Sequence, residues 1–197
     1  MTAQEKARMI SGMIFVPITT PEIIPKYFKR IRKKYIILLT ELLAYRIFVA
    51  DFTLYTFYGH TPTYQTVKTI LIDKYVAGFW NDAFSKGLLA HPPSFLNVRM
   101  TDFAQLYKSS HAPDNPNVIG YACARILKNA ELKTNIDFMP DEYLEFQLKY
   151  FVPSISELES GIHRIMSGDA EKQENTSSCM GCITLIIIAG IIYLILK

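Results

Sequence analysis

Residues 179–196 contain no charged residue, and fifteen of these eighteen residues are apolar. As a helix that rises 1.5 Å per residue, the run would be about 27 Å long, close to the thickness of one hydrocarbon core. A helix is the form in which a single span satisfies its own backbone in lipid. The run therefore predicts a transmembrane helix, with a buried core helix or terminal strand as the alternative.

A second apolar stretch, Tyr35–Tyr58, contains the charged residues Glu41, Arg46 and Asp51. Its twelve Ile, Leu, Val and Phe residues would contribute about −4 to −7 kcal/mol to membrane insertion, whereas the three charges would cost about 8 to 10 kcal/mol. Because the charges outweigh the apolar residues, we predict the central helix of a folded core, with its charges paired or reaching the surface. A partly inserted hairpin is the alternative.

Elsewhere, helical spacing of apolar residues alternates with helix-breaking sequences. A helical face runs from Thr63 to Gly87, and His91-Pro92-Pro93 ends it. Other start signals predict helices that begin near Pro21, Lys26, Thr101, Asn115-Pro116, Pro140 and Ser154-Ile155-Ser156-Glu157, the last as a capping box. No segment alternates as a strand does, although an extended N-terminal segment is predicted around Met9–Ile18. The fold class is thus all-α, a compact bundle of six or seven helices followed by a transmembrane helix.

These patterns divide the chain into four parts: an N-terminal extended segment (1–19), a helical cytosolic domain (20–166), a polar linker (167–178) and a transmembrane anchor (179–196). With the anchor following the domain, we expect a tail-anchored, single-pass protein of an intracellular membrane, with its N-terminal domain in the cytosol. Lys197 is long enough to reach the far headgroups. The organelle and the oligomeric state are left open.

Composition supports a folded domain rather than a disordered or disulfide-rich chain. Of the 197 residues, 50% are hydrophobic and 20% charged, and 25 are aromatic. Three cysteines are too few for a disulfide scaffold. Cys179 and Cys182 lie at the membrane boundary and are candidates for lipidation, or a plain membrane-embedded pair. Cys123 lies on the apolar side of a predicted helix and is interpreted as a core residue.

Charge is concentrated near the N-terminus. Through residue 35 the chain has eight Lys or Arg residues and two Glu residues, although its net charge is only +3. The densest part is the basic patch, which consists of Lys26, Lys29, Arg30, Arg32, Lys33 and Lys34. Such a patch attracts an anionic membrane surface or the phosphates of a nucleic acid, and it is also typical of a solvated helix face.

The sequence contains no recognisable catalytic or metal-binding motif. GxGxxG, GxxxxGK, GxSxG and HExxH are all missing, and the pair Cys179/Cys182 has no second CxxC. We therefore expect no enzyme activity, no cofactor and no metal. Aromatic residues at helical spacing could instead line a groove for a protein partner or belong to the core; these are Tyr75, Phe79, Trp80 and Phe84.

Two families share features with the chain. A helical domain with a C-terminal anchor resembles, in architecture, the Bcl-2 group of apoptosis regulators, but Gly78-Phe79-Trp80-Asn81-Asp82 lacks that family's Asn-Trp-Gly-Arg signature. The order Phe79-Trp80-Asn81, Pro92-Pro93, Thr101-Asp102-Phe103-Ala104 and Asn115-Pro116 is similar to the core of flexuous filamentous virus coat proteins. These resemblances imply apoptosis regulation and a viral structural role respectively.

The function predicted from the sequence is that of an interaction or adaptor module at a membrane surface. Its partners would be the lipid bilayer, through the C-terminal helix, and a protein. The alternatives are a viral structural or nucleic-acid-binding, coat-like membrane protein, which would use the basic patch, and a highly diverged Bcl-2-like regulator.

Overall fold

The computed structural model describes residues 1–19, 34–110, 115, 117–132 and 140–168. Within these ranges the chain forms six helices and no strand, which confirms the all-α prediction. The helices are α1 (Ala3–Thr19), α2 (Tyr35–Tyr58), α3 (62–85), α4 (Ser94–Ser109), α5 (Val118–Asn129) and α6 (140–167). Two of them contain a π-helical stretch, Ile70–Val76 in α3 and Phe146–Phe151 in α6.

Helix α2 is the centre of the bundle, as its composition predicts. It runs unbroken for 24 residues and packs against α1, α4, α5 and α6. Most of its middle is buried, because a helix that is apolar on every side needs neighbours on every side. Among the described residues no helix combines the length and the hydrophobicity that a membrane crossing requires. The predicted anchor, 179–196, lies outside the described residues.

Each charged residue of α2 has a partner, which also confirms the prediction. Asp51 forms an ion pair with Lys68 of α3 at 2.7 Å. Glu41 is paired with Arg99 of α4. Arg46 donates to backbone oxygens of α1 and α6. Pairing removes most of the cost of burying these charges within an apolar helix.

The N-terminal segment is helical, so the prediction of an extended segment over 1–19 is wrong. Thr2 and Glu5 form a reciprocal capping box: the Thr2 amide donates to Glu5 Oε2 at 2.7 Å, and the Glu5 amide donates to Thr2 Oγ1 at 3.2 Å. Ala7, Ile10 and Ile14 follow at helical spacing and are fully buried. The extended segment was predicted from the short apolar run that starts at Met9, whereas the helical spacing of Ala7, Ile10 and Ile14 extends over a longer stretch.

Helix α4 begins earlier than predicted. Pro92 and Pro93 do interrupt the chain, but their carbonyls accept from the amides of Phe95 and Leu96 and so start α4 at Ser94. Thr101 is therefore not a cap. It lies inside the helix, where its hydroxyl donates to the Asn97 carbonyl at 3.0 Å.

Helix α6 starts at Pro140, as predicted, and α5 starts three residues after its predicted cap, Asn115, but the capping box at Ser154 is wrong. Asn115 Oδ1 accepts from the Asn117 amide, and α5 begins at Val118. Helix α6 continues through residues 146–151 into Val152–Ser167 without an end at Ser154. Ser154 lies inside this continuous helix, where its hydroxyl accepts a hydrogen bond from Arg46 instead of capping a helix start.

Three contacts define the two ends of the bundle. Lys6 Nζ donates to the Met166 carbonyl, and the Tyr58 hydroxyl lies 2.9 Å from His163 Nδ1. The end of α2, the end of α6 and the start of α1 therefore lie together. At the other end, Lys34 Nζ donates to the Glu131 carbonyl at 2.9 Å. A helix of 24 residues separates the two ends by about 36 Å.

Candidate functional site

A polar cluster joins α2, α4 and α5 in the described part of the chain; it consists of Glu41, Arg99, Asp102, Arg125 and Asn129. Arg99 donates to Glu41 Oε1 from Nε at 2.8 Å and from Nη2 at 2.7 Å. Asn129 Nδ2 donates to Glu41 Oε2 at 3.2 Å and contacts Asp102 Oδ2 at 3.5 Å. Arg125 forms an ion pair with Asp102. The Asn129 amide thus contacts both carboxylates. In addition, Glu41 is paired with Arg99 and Asp102 with Arg125.

Burial dominates the electrostatics of the cluster. Glu41 is fully buried, and its burial raises the pKa of its carboxyl, while the hydrogen bond and the charge of Arg99 act in the opposite direction. The negative charge of Asp102 raises that pKa further. The ionised form of Glu41 is therefore maintained chiefly by Arg99.

An aromatic layer covers Arg99. Its guanidinium lies 4.7 Å from the centre of the Phe95 ring, and the His91 ring stacks on Phe95 at 4.2 Å. Burial, followed by the charge of Arg99, lowers the pKa of His91. Because both oxygens of Glu41 have donors, the cluster acts as a tie between three helices rather than as an open acid–base pair.

Arg46 forms a second buried tie. Its guanidinium donates to the carbonyls of Ile14 at 3.1 Å, Met13 at 2.7 Å and Ser154 at 3.1 Å, and to the Ser154 hydroxyl. Burial lowers the pKa of Arg46 to about 10. One side chain of α2 thus holds α1 and α6 together, near the point where Met13 packs close to Gly161.

The end of α2 carries an exposed aromatic group that we call the aromatic end, formed by Tyr55, Phe57, Tyr58 and His163. Tyr55 is 66% and Phe57 49% exposed. The Phe57 ring meets His163 edge-on at 4.7 Å, and the Tyr58 hydroxyl bonds to His163 Nδ1. These contacts fix α2 to the last turns of α6, so the exposed rings are held beside the end of α6.

Of the predicted basic patch, the structure describes Lys34 alone; Lys26, Lys29, Arg30, Arg32 and Lys33 lie outside the described residues. Lys34 precedes α2 and donates to the Glu131 carbonyl. It therefore lies at the end of the bundle opposite to the aromatic end.

Of the four residues predicted to line a partner groove or to belong to the core, the structure places Trp80 in the core. Trp80 is fully buried, and its Nε1 donates to the His91 carbonyl at 3.0 Å, so it belongs to the core. Phe79 stacks on Phe15 of α1 at 3.9 Å, and Tyr75 is also half-buried. The side chain of Phe84 is 39% exposed. Core packing therefore accounts for the helical spacing of Trp80 and Phe79, whereas it does not account for the exposed Phe84.

Cys123 is buried in the core, as predicted, and burial raises the pKa of its thiol to about 12. Cys179 and Cys182, the lipidation candidates, lie outside the described residues. No group of three or more metal-ligating side chains is present in the described ranges.

No protein family model matches the sequence, and no curated protein and no solved structure is significantly similar to it. We therefore base the functional proposal on the residues themselves.

Sequence reasoning missed the polar cluster, the Arg46 tie and a buried tyrosine pair. The hydroxyls of Tyr45 and Tyr107 lie 2.7 Å apart inside an aromatic core. All of these contacts join positions that are far apart in the sequence, so no local spacing indicates them. The aromatic end could have been found in the sequence, because Tyr55, Phe57 and Tyr58 lie close together just before the helix-breaking Gly59.

Proposed function

We propose that the chain is a membrane-anchored, non-enzymatic interaction module whose helical body is held at a bilayer by residues 179–196. The observation that carries this proposal is the eighteen-residue uncharged run itself, which is separated from Gly168 by only ten residues. Its ten Ile and Leu residues favour insertion by about 3 to 6 kcal/mol. The helical body supports the proposal because its described residues form a continuous hydrophobic core of their own.

A protein partner would find apolar side chains on the first half of α6. Leu144 and Leu148 are four residues apart and both exposed, Leu148 to 62%. Both precede Phe151, whose ring packs 5.5 Å from Tyr45, and so they lie in the half of the bundle that is distant from the aromatic end. Exposed apolar pairs of this kind are typical anchors for a protein interface.

The test is the fractionation of cells that express the full chain, a chain that ends at Ser178, and a full-length variant with Ile187→Arg and Ile188→Arg. Two central arginines cost about 5 to 7 kcal/mol, which exceeds or equals the contribution of the apolar run. The unmodified chain should resist alkaline extraction, and the other two should be extracted. Protease added to intact membranes then shows which side the body occupies. If the arginine variant remains embedded, the run is not the anchor.

A second candidate function, nucleic-acid binding, rests on the six cations of the basic patch. Phosphate contacts would make the affinity fall steeply with salt, with a slope of about 0.9 per neutralised phosphate on duplex DNA. We would measure how the binding of duplex DNA depends on salt, for the full chain and for a variant with Lys29, Arg30, Arg32 and Lys33 changed to Gln. Equal, salt-insensitive binding by both chains would eliminate this function.

A further inference from the structure

We propose that the aromatic end of the bundle is the surface that rests on the lipid interface, with the bundle standing end-on to the membrane. This inference depends on the proposed anchor but goes beyond it, because it assigns the membrane-facing surface of the body. Its occupant is an anionic bilayer surface.

The first argument is the chemistry of the exposed side chains. Tyr55 is 66% and Phe57 49% exposed, although both belong to a helix whose middle is buried on all sides. Tyr and other aromatic rings have an apolar body that suits the region between headgroups and acyl chains. The aromatic end therefore has exposed apolar surface that can contact lipid, as the middle of α2 contacts the core.

The second argument is the place where helix α6 ends. Helix α6 ends at Ser167, and Gly168 follows in the left-handed conformation with φ of 85°. The Tyr58–His163 contact is one helical turn before that point. The segment that leads to the predicted anchor therefore starts beside the exposed aromatic side chains.

The third argument is length. Ten residues, 169–178, separate Gly168 from Cys179. A flexible chain of ten residues has a root-mean-square reach of about 17 Å, and full extension gives at most about 33 to 36 Å. The opposite end of α2 is about 36 Å from Tyr58. Contact between that far end and the membrane would require almost full extension, whereas contact by the aromatic end requires little.

The fourth argument is charge. The start of α1 lies at the same end and brings Lys6, which bonds to the Met166 carbonyl, and the exposed Arg8. The acidic side chain at this end of α1 is Glu5, which caps the helix. Near an anionic surface each cation gains about 1 kcal/mol, so Lys6 and Arg8 would favour contact with lipid at this end.

The experiment uses tryptophan as a depth probe in the full chain, reconstituted into phosphatidylcholine–phosphatidylserine vesicles with brominated acyl chains. Phe57→Trp places the probe at the aromatic end, and Leu148→Trp is the matched control at a similarly exposed apolar position of the distant half. The parent chain, whose Trp80 is buried, supplies the background. Flotation of the vesicles reports anchoring independently.

We expect all three chains to float, the Phe57→Trp emission to shift to the blue and to be largely quenched by bromine, and the Leu148→Trp emission to remain unquenched. If the chains float and the probe at position 57 is unquenched, the end-on inference is overturned while the anchor stands. Quenching at both positions would overturn it as well, because the body would then lie on its side. Chains that fail to float would refute both proposals.

Discussion

Removal of Arg99 should destabilise the bundle strongly, and by an amount that depends on pH. Arg99→Ala deletes both donors to Glu41 Oε1 and leaves a fully buried carboxylate with Asn129 as its remaining side-chain donor. Breaking a buried ion pair costs about 3 to 5 kcal/mol. Since the Arg99 side chain is 20% exposed, we expect the lower value, about 3 kcal/mol. For a domain of this size that corresponds to a fall in Tm of roughly 6 to 12 °C.

The sign of the pH dependence follows from the direction of the pKa shift. Burial raises the folded-state pKa of Glu41, and Arg99 opposes that rise. A raised carboxyl pKa means that the folded state binds its proton more tightly, so the stability due to Glu41 is lost as pH rises through the interval above its ordinary pKa. Without Arg99 the pKa rises further and the loss at neutral pH is larger. The destabilisation should therefore be greater at about pH 7 than at about pH 5.

Thermal unfolding of the full chain in a mild detergent, followed by far-UV circular dichroism and by Trp80 fluorescence, measures this effect. Lys86→Ala is the control, because its ion pair with Asp82 is exposed and is worth about 0.3 to 0.5 kcal/mol. The double variant Glu41→Gln/Arg99→Ala completes a double-mutant cycle. It should lose less free energy of unfolding than Arg99→Ala alone. An Arg99→Ala variant with the same loss at both pH values would refute our assignment of the pair.

Three further predictions concern the core. Arg46→Met should lower the free energy of unfolding by about 3 kcal/mol and speed hydrogen exchange in α1, since it removes the donors to Met13 and Ile14; unchanged exchange in α1 would contradict the tie. Trp80→Ala should lower the free energy of unfolding by about 4 kcal/mol, whereas truncation of an exposed side chain would lower it little. Urea unfolding measures this difference. With Cys179 and Cys182 changed to Ser, Cys123 should resist maleimide until the protein is denatured, because burial raises its pKa to about 12 and cuts the thiolate fraction. Rapid labelling of the native chain would exclude a buried thiol.

The fold could be predicted from the sequence where one-dimensional patterns were strong. Helix α2 is the clearest case: the cost of inserting three charges decided against a membrane span, and each charge has a partner in the bundle. The break at His91-Pro92-Pro93, the start of α6 at Pro140 and the start of α5 shortly after Asn115 also follow from local chemistry. In each case the determining interaction is contained within a few residues.

Predictions failed where a local signal was outweighed by a distant contact or by a longer pattern. Ser154 has the sequence of a cap, but Arg46, 108 residues away, uses its hydroxyl and carbonyl inside a continuous helix. Trp80 has the character of an interface anchor, but the chain folds His91 over its ring nitrogen. Such contacts depend on which helices become neighbours, and spacing along the chain does not contain that information.

The position of Lys34 gives the basic patch a definite relation to the proposed orientation. The patch enters the described structure at Lys34, which is bound to Glu131 about 36 Å from Tyr58. In a bundle that stands on its aromatic end, Lys34 points away from the bilayer and lies well beyond a Debye length of about 8 Å from it. Lipid attraction of the cation at that position is then screened. The end-on orientation consequently predicts that Lys34 lies away from the membrane surface, in the same half of the bundle as the exposed Leu148.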